Sequence, residues 1–202
     1  TTRPRKGIVN YLHRPRISGD MATSKTGSFW LTETIDLDTD ATAVQGTIDL
    51  GAYVDVGDQQ ALAIEQVDFI WQRHNVTADT YTAEIEQAIG SNGVVEAQLS
   101  DLNPGTTLTI ASDNNLVASG AVHVDDTNYV LTHSSDFFPD NFGKLDESRI
   151  VVNDQLYLCG MMNATAVANN AVACTVRIKS RIVKLSTKDW MAIAIQSTAA
   201  DN

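Results

Sequence analysis

From residue 27 onward the apolar positions of this chain recur mostly at every second residue, the period of a strand with one buried face. Gly27–Leu37 (GSFWLTETIDL) carries aromatic and β-branched residues and alternates in its second half. Val44–Val54 repeats the pattern, with Gly46 and Gly51 marking bulges or close backbone approaches. In Ala61–Gln72 (ALAIEQVDFIWQ) the apolar phase switches once, between Leu62 and Ile64 on one side and Val67, Phe69 and Trp71 on the other, as a single bulge would cause. Further strands are predicted at 81–87 (or a short helix there), 94–99, 106–110, 116–124, 129–133, 155–159 and 172–185. Turn chemistry falls between them at Ser91-Asn92-Gly93, Asn103-Pro104-Gly105, Asp113-Asn114-Asn115, Asp125-Asp126 and Asn169-Asn170.

The alternation gives way to a helical period only near the end. Ser186-Thr187-Lys188-Asp189 fits a capping box ahead of an apolar run, so a short helix is predicted over 186–196, burying Trp190, Ile193 and Ala194. About eight to ten antiparallel strands without intervening helices make an all-β fold, a single sandwich or barrel over residues 26–202. Residues 1–25 show no sustained period, and Pro4 and Pro15 forbid regular helix nearby. They read as an extended arm that docks, if at all, through Ile8, Val9, Tyr11 and Leu12.

Charge changes this picture. The chain has 202 residues, 14 Lys and Arg, 25 Asp and Glu, and a formal net charge of −11. Residues 1–25 nevertheless hold Arg3, Arg5, Lys6, Arg14, Arg16 and Lys25 against the single acid Asp20, and residues 177–188 hold Arg177, Lys179, Arg181, Lys184 and Lys188 with no acid. The intervening residues 26–176 carry only Arg73, Lys144 and Arg149 against 22 acids. On a strand, Arg177, Lys179 and Arg181 share one face and Val176, Ile178 and Ile182 the other. Like charges about 7 Å apart on one face repel unless anions answer them. Those anions are either acids of the neighbouring strand or an external polyanion, nucleic acid or an anionic membrane, bound without sequence preference.

Candidate chemistry is sparse. His13, His74, His123 and His133 stand at no metal-ligand spacing; His123 and His133 either face each other across the Asp125-Asp126 turn or, the favoured reading, are two solvated or core-edge imidazoles on neighbouring strands. Asp36, Asp38 and Asp40 place oxygens at alternate residues, like the start of a calcium loop, but Ala41 and Thr47 stand where that loop needs Gly and Glu. At most a loosely held calcium ion is expected there, with no other cofactor. Cys159 and Cys174 fit either two buried thiols, the favoured reading, or a bridge across a hairpin centred between them. Nucleophile elbows, phosphate-binding glycine loops and dinucleotide fingerprints are missing from the sequence, so an enzyme is not expected. Trp30, Trp71 and Trp190 lie inside apolar patterns, which favours core packing over sugar platforms. Two sequons, at Asn75 and Asn163, are placed in loops. No apolar run reaches the ~20 residues that a membrane-spanning helix needs.

The arm with Arg3, Arg5, Lys6, Arg14 and Arg16, the strand series from Phe29 to Leu185 and the basic strand 177–184 together resemble the jelly-roll capsid proteins of small non-tailed icosahedral viruses. The resemblance covers the whole chain at the level of architecture. It implies two four-stranded sheets, self-assembly into a large homo-oligomer with or without other capsid proteins, and residence in the virion. The arm and the Arg177–Lys184 strand would then face an inner polyanion or neighbouring subunits. The arm is less arginine-rich than many in that class, which leaves room for a shell over an internal membrane. An extracellular or surface-layer β-sandwich module is the alternative reading.

Overall fold

The computed structural model describes residues 22–134 and 149–198. It is an all-β sandwich of two antiparallel sheets with one C-terminal helix. The strands are β1 (Ala22–Ser24), β2 (Phe29–Leu37), β3 (Thr42–Asp49), β4 (Gln60–Asn75), β5 (Thr80–Thr82), β6 (Gly93–Ser100), β7 (Leu116–Asp125), β8 (Val130–His133), β9 (Arg149–Val151), β10 (Gln155–Asn163) and β11 (Asn170–Leu185), followed by helix α1 (Thr187–Thr198).

In the first sheet β11 pairs along its whole length with β4; β2 and the short β1 pair with the other edge of β11, and β9 and β5 with the other edge of β4. The second sheet runs β3-β10-β6-β7-β8. With β1, β5 and β8 set aside, the two orders are β2-β11-β4-β9 and β3-β10-β6-β7, the eight-stranded double Greek key of a jelly roll.

The phase switch read from the β4 sequence is a real bulge. Lys179 of β11 pairs with Gln66, but the next residue, Ser180, pairs with Ile64, so Glu65 is the extra residue. Side chains alternate strictly along a strand, so this one insertion lets Leu62 and Ile64, then Val67 and Trp71, all face the core. Opposite them stand Val95, Ala97 and Leu99 of β6, Val122 and Val124 of β7, and Leu156, Leu158 and Met162 of β10. Glycine sets the spacing at one end of this core. A Cβ on Gly160 would lie 2.8 Å from Ile35 Cδ1, and one on Gly46 2.8 Å from Glu33 Oε1, so β2 lies against the second sheet only because both positions lack a side chain.

A second, smaller core lies on the outer face of the first sheet. Ala61, Ala63, Val183 and Leu185 form a shallow floor, and Trp190, Ile193 and Ala194 of α1 pack onto it, the stripe expected from sequence. The capping box is present: Ser186 Oγ donates to Asp189 Oδ2 at 2.6 Å and accepts the Asp189 N–H at 3.2 Å. Ala22 joins this cluster through β1, so the last residues of the expected arm are a strand of the sheet.

Two expectations are corrected. Residues 106–110 form no strand: the β6–β7 connection crosses the outer face of the second sheet, where the Gln98 side chain accepts the Thr109 N–H at 2.7 Å and donates to the Thr109 carbonyl at 2.9 Å. An amide side chain thus replaces a strand neighbour. Residues 81–87 divide into the end of β5 and a single 3₁₀ turn, Ile85–Gln87. Cys159 and Cys174 are both buried free thiols, as the favoured reading had it; β10 and β11 belong to different sheets and form no hairpin that could bridge them.

Glu33 points toward the sandwich interior, paired with Val176, and burial pushes its carboxyl above the ordinary range. For an acid with a raised folded-state pKa, the fold disfavours the ionised form. That penalty is absent below the unfolded-state pKa and grows as pH rises through the folded-state value. Glu33→Gln is therefore expected to be more stable than the native chain at neutral pH and equal to it at about pH 3, below the ordinary carboxylate range. Urea unfolding at the two pH values checks this; an equal or lower stability of the variant at neutral pH would contradict it.

Candidate functional site

Arg3, Arg5, Lys6, Arg14 and Arg16 lie outside the described residues, as does His13. Arg177, Lys179 and Arg181 project from the outer face of the first sheet, as their alternation requires, while Val176 and Ile178 enter the core. Their charges are answered from within the chain. The bulge delivers Glu65 to this face, where its largely buried carboxylate forms ion pairs with Arg181 and, at 3.8 Å, with Lys179 Nζ, and accepts the Ser28 hydroxyl at 2.8 Å. The Arg177 guanidinium lies 4.8 Å from the ring centroid of Trp30, a cation–π contact on an indole that remains 43% exposed.

An acid of the neighbouring strand therefore answers Lys179 and Arg181. Lys184 does not belong to this strip. Its register places it beside Thr23 and Gln60, exposed and of opposite parity to Arg177, Lys179 and Arg181. Trp30 likewise corrects the expectation that all three tryptophans are core residues; Trp71 is buried and Trp190 of α1 packs onto the smaller core.

The acidic triplet is also rearranged. Among the described residues no group of three His, Cys, Asp or Glu side chains gathers as a metal site, so Asp36, Asp38 and Asp40 do not converge on a calcium ion. Asp36 instead turns to His74. Its Oδ2 lies 2.8 Å from His74 Nδ1, while Asp79 Oδ1, from the β4–β5 turn, lies 3.3 Å from His74 Nε2. The Tyr81 ring stacks on the imidazole with centroids 4.3 Å apart and planes 7° from parallel. The contact spans strands: Asp36 on β2 reaches His74 on β4 over the intervening β11, where Ala171 and Ala173 supply only methyl groups. This cluster is absent from the sequence reading. Its one sequence signal is the pair of alanines between polar strands, which spacing along the chain does not reveal.

His123 and His133 sit on paired strands but on opposite faces, since His133 pairs with Val122 and His123 with Thr132; His123 Nε2 shares a 2.7 Å hydrogen bond with Ser134 Oγ. The sequon residues Asn75 and Asn163 are the last residues of β4 and β10 rather than loop positions.

A cavity of about 320 Å³ opens between α1 and β9, lined in part by Asp101, Arg149, Ile150 and Ile193. Arg149 donates to Asp101 Oδ2 at 3.1 Å across its floor. Burial holds the Asp101 carboxyl above its ordinary range, although the guanidinium pulls it down. No helix among the described residues is long and apolar enough to cross a membrane. No family model matches the chain, and no curated protein matches it in sequence.

Removing the carboxylate that two cations share leaves them facing each other, so Glu65→Gln is expected to lower stability by about 2–3 kcal/mol, short of the full cost of a buried pair because Arg181 keeps contact with water. The double variant Glu65→Gln/Arg181→Met is expected to recover most of that loss. Urea unfolding followed by tryptophan fluorescence measures both; an unchanged midpoint for Glu65→Gln would show that the strip does not depend on this acid.

Proposed function

We propose that the chain is a structural subunit of a virion shell, a capsid protein that assembles with copies of itself, with or without other coat proteins. The observation that carries this reading is the eight-strand double Greek key order of its two sheets, joined to a basic N-terminal segment that meets the sandwich at β1. Jelly rolls also serve as lectins and cupins, so the fold alone does not select the function. The rest of the support comes from the surface. The outer face of the first sheet beyond α1 presents Trp30, Ile70 and Tyr81 exposed beside paired charges. A face with aromatic and aliphatic groups between neutralised charges suits contact with another subunit more than contact with a polyanion.

The division of labour follows from the charges. Lys179 and Arg181 are engaged by Glu65 and Arg177 by Trp30, so on this reading the polyanion contact belongs to the arm, through Arg3, Arg5, Lys6, Arg14 and Arg16. Nucleic acid and anionic lipid headgroups present the same phosphate chemistry to such an arm. The acidic remainder of the body faces solvent or adjoining subunits.

Deleting residues 1–20 removes five of the arm's cations and leaves β1 intact. The truncated chain is expected to keep its far-ultraviolet spectrum and cooperative unfolding while sedimenting as a monomer or small oligomer under conditions where the full chain forms particles. Normal particles from the truncated chain would overturn the role given to the arm.

A further inference from the structure

We infer that Asp36, His74 and Asp79 form a proton-operated clasp, which fastens the β4–β5 turn against β4 while His74 is an imidazolium and releases it when the ring becomes neutral. The inference concerns the folded subunit and does not depend on its assembly.

Donors and acceptors around the ring define the clasp. Both ring nitrogens of His74 face carboxylate oxygens, Nδ1 at 2.8 Å and Nε2 at 3.3 Å. An ionised carboxylate only accepts, and a neutral imidazole has one N–H, so both contacts are attractive together only when the ring carries both protons. A neutral ring turns one nitrogen lone pair toward an oxygen. The ring itself is held in place, since His74 is 8% exposed and stacked on Tyr81.

The two carboxylates are not equivalent. The Asp36 contact is shorter, and the other oxygen of Asp36 is buried without a hydrogen-bond partner, so this carboxylate depends on the ring. The Asp79 side chain is 85% exposed and readily solvated by water. Proton loss therefore falls on Nε2, and Asp79 is the partner that leaves. Its backbone sits at φ 49°, in the left-handed region that Asp and Asn enter more readily than other residues with a Cβ. The Asn75 side chain, which accepts the Thr77 and Ala78 N–H groups, secures only the first half of the turn.

The groups around the ring leave its proton as the variable. From β11 it meets Ala171 and Ala173, which do not titrate. From β5 it meets Tyr81, whose phenol is held above its ordinary range by desolvation and then by the charges of Asp36 and Asp79, so it stays neutral. Arg73, adjacent on β4, is engaged elsewhere, donating to Asn170 Oδ1 at 2.8 Å and pairing with Glu84 at 3.7 Å. Asp38 lines the neighbouring depression with Val76 and Thr77 and adds to the negative side. Imidazole is the one side chain whose ordinary titration spans about pH 5–8.

Hydrogen exchange of the intact full-length chain, read by mass spectrometry at about pH 5.5 and pH 8 and corrected for intrinsic rates, tests this. Protection of residues 77–82 is expected to fall about two- to fivefold at the higher pH, the range for an exposed ion pair, while peptides from β10 stay unchanged as an internal reference. In Asp79→Asn, the amide tolerates the left-handed backbone and can donate to a neutral Nε2. That variant is expected to lose the pH difference while remaining folded. Equal protection of the native chain at both pH values, or an undiminished pH difference in Asp79→Asn, would overturn the clasp.

Discussion

The pairing of β4 with β11 is the constraint from which the rest of the structure follows. These are the longest strands, 16 residues each, and they lie side by side at the centre of the first sheet. β11 keeps one face on the core by unbroken alternation, whereas the apolar positions of β4 change phase once and need one residue set out of the ladder to stay on that face. The single extra residue, Glu65, supplies the correction. It rephases β4 so that Ile64 and Val67 both bury, and it sends a carboxylate to the opposite face between Lys179 and Arg181. One insertion therefore completes the core and neutralises the outer strip. The same strand pair carries Ala61, Ala63, Val183 and Leu185, the floor for α1, and Ala171 and Ala173, the gap through which Asp36 meets His74.

What could be read from the sequence was what local periodicity encodes. Alternation located every long strand, the phase break in ALAIEQVDFIWQ located the bulge, and Ser186 with Asp189 located the start of α1. What could not be read depended on which strands become neighbours. The residues around Thr109 look like a strand by composition, yet the second sheet offers them a Gln98 side chain in place of a strand edge. The alternative of a bridge between Cys159 and Cys174 closes only once β10 and β11 are assigned to different sheets. Asp36 looked like the head of a cation loop because its sequence neighbours are acids, whereas its spatial neighbour is an imidazole two strands away. The face shared by Arg177, Lys179 and Arg181 was legible from alternation; the acid that answers two of them was not, because a bulged residue has no fixed register partner.

The charge distribution acquires a simpler meaning in three dimensions. A body with an excess of acids holds its few internal cations in specific pairs: Arg149 with Asp101, Arg73 with Glu84, Lys179 and Arg181 with Glu65. Arg3, Arg5, Lys6, Arg14 and Arg16 of the arm lie outside the described residues. For the proposed shell subunit this separates two tasks that the sequence alone merges, cohesion of the fold on one side and attraction of a polyanion on the other.

The central claim, that this sandwich is a unit of a closed shell, is tested most directly by the mass and shape of the purified full-length chain, measured by light scattering and negative-stain electron microscopy across salt and calcium concentrations. Closed particles of uniform size are expected under at least one of these conditions. A monomer or small oligomer under all of them would contradict it and favour a surface-exposed β-sandwich module.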